Sequence, residues 1–294
     1  MKRLDFVIGT AAVCALGSGC GGMERRPAAE SFGKTFYLDG AGNWGFGVND
    51  VPAGLKDAGY RGDVEIYVWT TSLLPMVDQL NIAGAKLRAA ALSQRIEEYR
   101  RAHPDQSINL IALSAGTGVL IWAIEGLNDN TKVDNVVLLG SSLSADYDAS
   151  EALRHMTGRI YTYHSPHDEV LEAVRVIGTI DGKRGVDSVG QVGLHPPAGF
   201  TDRVVNVGWD RQYMRFGWTG AHTDCTNRRF VEQVVSRHVV RAESPPTGHA
   251  THYQPGRPGV MMSVGAARPA VPMRGRSFML AGDDNGRNDD RGSQ

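Results

Sequence analysis

The run Ile111-Ala112-Leu113-Ser114-Ala115-Gly116-Thr117-Gly118 joins an apolar, strand-like stretch to a small-residue apolar stretch of helical length. A serine at such a junction can be presented on a sharp turn, with its hydroxyl exposed above a sheet as a nucleophile. The turn demands small residues two before and two after the serine, because strand and helix backbones approach closely there. Ala112 and Gly116 meet that demand. The residue after the serine, Ala115, opens the helix, so its N–H points toward developing negative charge. By itself the run leaves two other readings open: Ser114 as a helix N-cap, or as part of a phosphate-binding turn. The phosphate reading loses ground because there is neither a Gly-Lys-Ser/Thr ending nor a GxGxxG at this junction. A second run, Tyr161 to Val170, carries His164, His167, Asp168 and Glu169 after a β-rich stretch. Its H-x-x-H-D pattern could offer metal ligands, but these follow a strand rather than share a helix face, and no closing Cys or His group is evident. A third run, Trp218 to Cys225, carries His222 between the last strand and the last helix.

Taken in order, these runs resemble the α/β-hydrolase superfamily. Its nucleophile elbow reads Gly-x-Ser-x-Gly, with Ala112 here in the first position, and its triad runs Ser, then Asp or Glu, then His. The resemblance implies Ser114 as nucleophile, Asp168 as the acid and His222 as general base. Asp146, past the preceding strand, and Glu169 are the alternatives for the acid. Asp168 also reads as a helix N-terminal residue favoured by the macrodipole. Upstream, Phe36 to Asn43 ends the first strand, where the superfamily usually has a His-Gly turn that supplies a second oxyanion N–H. This chain has Asp39-Gly40 instead. The expected donors are Ala115 and Ala41, with Gly42 as the other candidate in that turn. The resemblance spans roughly Lys34 to Val240.

The elements needed to hold these residues are legible as alternating strands and helices. Strand runs are expected at Thr35–Leu38, Val64–Trp69, Ile108–Leu113, Val133–Leu139, Arg159–Tyr163 and Val204–Val207. Ile82, Ala85, Ala89, Leu92, Ile96 and Tyr99 recur at steps of three and four, one face of a helix, which His103-Pro104 stops. Gly116–Leu127 reads as a buried helix, Ala149–Met156 and Glu169–Val176 as shorter ones, and Asn227–Val240 as a final helix with Phe230, Val234 and His238 on one face. Thr70–Asn81 and Gly178–Asp202 show little periodicity; long connections of this kind tend to carry function. The alternation predicts an α/β fold: a mostly parallel sheet with helices on both faces, a three-layer sandwich of the α/β-hydrolase type.

Composition bounds the rest. With 31 basic against 32 acidic residues and a net charge of −1, a nucleic-acid partner held by a basic surface is excluded. Three cysteines in 294 residues exclude a disulfide scaffold. Residues 1–20 carry a basic start (Lys2, Arg3), an apolar run from Phe6 to Leu16 and small residues before Cys20. They resemble a bacterial lipoprotein signal, which implies export, lipid attachment at Cys20 and a membrane-anchored place in the cell envelope; a plain secretory signal is the alternative. Residues 21–33 then form a tether, 34–241 the hydrolase domain, and 242–294, rich in Pro, Gly, Arg and Asp, a tail too polar to offset the entropy of ordering.

The implied chemistry is acyl transfer to water from a small-molecule or lipid ester, with no metal or organic cofactor. The apolar Leu73, Leu74 and Met76 are expected to cap an acyl pocket. A peptidase, thioesterase or acyltransferase would use the same triad, and a non-catalytic envelope module that binds a lipid or partner protein is the reading from a different class. Oligomeric state is not legible.

Overall fold

The computed structural model describes residues 27–240. The chain runs through α1 (Pro27–Glu30), β1 (Lys34–Leu38), α2 (Asp50–Asp57), β2 (Asp63–Ile66), α3 (Pro75–Leu80), α4 (Ile82–Ala102), β3 (Ile108–Leu113) and α5 (Gly116–Glu125). It continues through β4 (Val136–Leu139), α6 (Ser150–Arg154), β5 (Ile160–His164), α7 (Glu169–Ile177), α8 (Val189–Val192), β6 (Val204–Gly208) and α9 (Arg228–Gln233). The proposed leader, lipidation site Cys20 and residues 21–26 of the tether, like the tail, lie outside the described residues.

All six strands form one sheet in the order β2-β1-β3-β4-β5-β6, and every pairing is parallel. The expected mostly parallel sheet is wholly parallel. A parallel sheet must be covered on both faces, and the strand sequences provide for that by being apolar at successive positions. Phe36 and Leu38 of β1, with Ile108, Leu110 and Ala112 of β3, pack toward α4, α5 and α6. Tyr37, Ile111, Leu113, Val137 and Leu139 pack on the other face with Val51 and Leu55 of α2 and Phe230 and Val231 of α9. The result is the three-layer, α/β-hydrolase-like sandwich. α5 is buried along nearly its whole length, between the sheet and α4, as its small and apolar composition requires.

Several elements differ from the sequence reading: α1 falls within the stretch read as a tether, β2 ends at Ile66 rather than Trp69, and α8 falls within the connection Gly178–Asp202 read as irregular. Val133 stands outside β4 and makes an isolated bridge to Met156. The final helix is short: it ends at Gln233, Val234 leaves helical geometry (φ −126°, ψ −60°), and a 3₁₀ turn covers Val235–His238. The β-branched pair Val234-Val235 weakens helix continuation there, although Phe230 and His238 both still reach Tyr163 on β5. α2 was not expected; Pro52 falls in its first turn, where a missing N–H costs nothing. α3 sits within the connection read as irregular, with Pro75 at its start.

Strand order places the site. The connection after β1 leads to β2 on one side and the connection after the adjacent β3 leads to β4 on the other, and the crevice at such a switch point is where α/β sheets bind ligands. The Leu38↔Ala112 register brings the loop after β1 beside Ser114.

Candidate active site

Ser114 follows β3 with φ +52°. This left-handed conformation costs a non-glycine residue about 1–3 kcal/mol and persists only where its surroundings over-determine it. They do so here. The Ser114 N–H continues the ladder to Leu139 O at 2.9 Å. Its carbonyl accepts from Thr117 N (3.1 Å), Ser142 N (3.3 Å) and Thr117 Oγ1 (2.5 Å). Thr117 Oγ1 is itself 2.7 Å from Ser141 Oγ. Gly116 is needed because a Cβ there would lie 2.5 Å from Asp39 O, so the elbow packs directly on the end of β1. The Ser114 hydroxyl is left without a hydrogen bond to any described protein group, and it lines an apolar cavity of about 420 Å³.

His222 lines the same cavity. Its Nδ1 lies 2.7 Å from Asp168 Oδ2, with both side chains largely buried. A carboxylate only accepts, so Nδ1 is the protonated nitrogen and Nε2 the basic one. Asp168 has a second role: Oδ1 accepts from Leu171 N at 3.0 Å, which makes it the N-cap of α7. One oxygen of Asp168 therefore faces the imidazole and the other caps the helix. Gly140, at φ +46°, lies beneath the pair; a Cβ there would come within 3.3 Å of His222 Nδ1 and 3.5 Å of Asp168 Oδ2. Ser114 and His222 are not hydrogen-bonded to each other here, a contact that commonly tightens only when substrate is bound.

The alternatives for the acid lie elsewhere. Asp146 pairs with His195 at 2.5 Å on the surface, and Glu169 opens α7 one residue past Asp168. The H-x-x-H-D run is not gathered around a common point. His167 packs edge-on against Trp209, with centroids 4.8 Å apart. The His164 Nδ1 is buried without a partner, and burial lowers its pKa. Among the described residues no group of three potential metal ligands forms.

The turn after β1 packs beside the elbow, where a Cβ on Gly40 would come within 3.3 Å of Ser114 Cβ. Asp39 stands where the resemblance implies a His, and it organises the loop: Oδ2 accepts from Gly45 N (2.8 Å) and Phe46 N (3.2 Å), and Oδ1 from Tyr37 Oη (3.1 Å). Asn43 N donates to Gly40 O at 3.2 Å, closing a tight turn. Among the described residues, neither the Ala41 nor the Ala115 N–H has an acceptor. Ala41 lines the cavity, and Ala115 is the N-cap of α5. Gly42 is a correction. Its N–H donates to Asp78 Oδ2 at 3.0 Å, so it is not available to an oxyanion.

The acyl-pocket expectation is corrected in the same region. Met76 lines the cavity, whereas Leu73 and Leu74 are 77% and 64% exposed and do not. They precede α3, and only the helix itself turns toward the site; Leu73 contributes its carbonyl, which accepts from Trp44 Nε1 at 2.9 Å. Pro75, of the same apolar stretch, also lines the cavity, and the walls that sequence reasoning missed are Trp44 and Phe46, Gln79 of α3, and Val170, Ala173, Val174 and Ile177 of α7. The α7 residues carried a signal: positions 170, 173, 174 and 177 share one helical face.

No family model matches the chain, and no curated protein matches it. Solved structures do. RedJ with a PEG molecule bound in the active site is 12% identical, over 79% of this chain and 92% of that one, with a TM-score of 0.34. A cutinase-like protein from Cryptococcus sp. is 17% identical, over 69% and 90%, at 0.35. The NocB thioesterase domain from the nocardicin cluster is 16% identical, over 71% and 95%, at 0.30.

Proposed function

We propose that the protein is a serine hydrolase that cleaves carboxylic esters with a lipophilic acyl part. The observation that carries this reading is the 2.7 Å His222–Asp168 pair lining one cavity with a serine held at φ +52°. Nothing in ordinary packing requires a strained serine beside an oriented imidazole. In the mechanism, His222 Nε2 takes the Ser114 proton as Oγ attacks the ester carbonyl, and Asp168 orients the imidazole and stabilises its charged form. The N–H groups of Ala115 and Ala41 hold the oxyanion of the tetrahedral intermediate. The intermediate collapses to an acyl-enzyme as the alcohol leaves with the proton from His222. Water, deprotonated by the same nitrogen, then releases the acid and restores Ser114. The cavity lining favours an aliphatic or aromatic acyl group over a charged one.

The test is a panel of p-nitrophenyl esters together with fluorophosphonate labelling, on the wild type and Ser114→Ala. The reading expects turnover and labelling of the wild type, with both lost in the variant. Full esterase activity in Ser114→Ala would refute it, and no turnover of any ester by the wild type would favour the non-catalytic binding module. The export address belongs to the same proposal and rests on residues 1–20 alone. A thioether-linked lipid on Cys20, detected by mass spectrometry of protein from bacterial membranes, would establish it.

A further inference from the structure

Asp78 sits on α3 two residues after Met76 and is 2% exposed. No cation pairs with it among the described residues. Its carboxylate is held by donors from two other segments: Gly42 N at 3.0 Å on Oδ2, and Thr71 N at 3.0 Å and Thr71 Oγ1 at 3.3 Å on Oδ1. Burying a carboxylate without a counter-charge is costly, so the hydrogen bonds are the compensation. What they fix is the turn that carries Ala41. The Gly42 N–H belongs to the peptide that follows Ala41, and the turn lies tightly on α3: a Cβ on Gly42 would come within 3.0 Å of Pro75 Cγ. α3 is also tied to the opposite wall. Gln79 Nε2 donates to Gly178 O at 3.0 Å, just past α7, and Gln79 Oε1 accepts from Ser142 Oγ at 3.3 Å.

The helix that supplies Pro75, Met76 and Gln79 to the cavity is thus bonded to the loop that supplies an oxyanion donor. We infer that Asp78 is a positioning residue, which holds the Ala41 N–H in place by clamping the oxyanion turn to α3. Contacts between the acyl chain and α3 are therefore expressed in kcat rather than only in KM. Binding energy from a remote part of the substrate is used in this way when it is realised at the transition state. This inference rests on the serine-hydrolase reading.

The experiment uses the full chain, p-nitrophenyl butyrate and decanoate, and an alkyl trifluoromethyl ketone as a mimic of the tetrahedral intermediate. In Asp78→Asn one of the two backbone donors meets an NH₂ instead of an oxygen. Removing an oxyanion donor outright costs roughly 10²–10³ in kcat. Displacing it through a neighbour is expected to cost about tenfold or more on the decanoate, with KM changed far less and ketone affinity falling in step with kcat/KM. Should Asp78→Asn fail to fold, as judged by thermal melting, Met76→Ala decides. This residue is exposed on the same helix, and its loss is expected to lower kcat for decanoate by a larger factor than kcat for butyrate. A rise in KM alone in either variant, or unchanged ketone affinity in Asp78→Asn, would overturn the inference and leave the hydrolase reading standing. No turnover and no fluorophosphonate labelling in the wild type would bring down the hydrolase reading itself.

Discussion

Asp168 offers the sharpest test, because its two oxygens do separable work. Oδ2 receives the His222 N–H and Oδ1 receives the Leu171 N–H at the start of α7. Asn is as good an N-cap as Asp, whereas Ala costs about 1 kcal/mol at such a position. Asn, however, cannot hold the imidazole in the required tautomer, and the corresponding change in a serine protease triad costs about 10⁴ in kcat. Asp168→Asn is therefore expected to lose activity by about that factor while melting close to the wild type. Asp168→Ala should lose activity to a similar degree and also lose the cap. For a domain of this size about 1 kcal/mol corresponds to a drop of roughly 2–4 °C in melting temperature. The assays are single-turnover acylation with a p-nitrophenyl ester and thermal melting by circular dichroism. Equal melting temperatures for the two variants would refute the capping role; substantial activity in either would refute the triad.

Other expectations follow from the same geometry. Gly116→Ala would drive a Cβ against backbone oxygens of Asp39 and Leu38; overpacking of that kind costs about 1–3 kcal/mol, so melting should fall by several degrees and activity with it. Burial holds the His238 pKa down at about 4, below its ordinary 6.5. Its neutral form is the one the fold accepts, so the stability it supports is complete above pH 6.5 and declines as pH falls toward 4, by up to about 3 kcal/mol. Urea titrations across that window should show the decline, and His238→Phe should flatten it. The Cys225 thiol is buried beneath His222, donating to its carbonyl at 3.2 Å, and burial raises its pKa well above the ordinary thiol range. A thiol reagent at pH 8 should label Cys225 only upon unfolding, as read by peptide mass spectrometry; rapid labelling of the native protein would contradict the packing.

Ser114 was legible because it directly follows β3, and Asp168 and His222 because they lie in the connections that leave β5 and β6, on the side where the strands of a parallel sheet all end. Ala112 and Gly116 announce the elbow by their size, since no larger residue fits where Gly116 meets Asp39. The oxyanion turn was only half legible. That Gly42 spends its N–H on Asp78 depends on a contact 36 positions away in the chain, which no local pattern encodes. The pocket walls failed for a related reason. Leu73 and Leu74 look more apolar than Pro75 and Gln79, but the start of α3 decides which of them turns inward. The α2 helix had no reading in the sequence; in the fold Gly54 lets α2 close on Arg228 and Val231 of α9.

The two helical walls of the cavity lie outside the sheet, and each is tied to a neighbouring segment by one carboxylate: α3 through Asp78 to the turn after β1, and α7 through Asp168 to His222. They behave as replaceable fittings on a fixed frame. Exchanging residues 75–77 and 173–177 for other sequences should redraw the range of accepted acyl groups without disturbing the sheet. A wider graft that also replaced Asp78 or Asp168 is expected to change the pocket and lower activity in the same step.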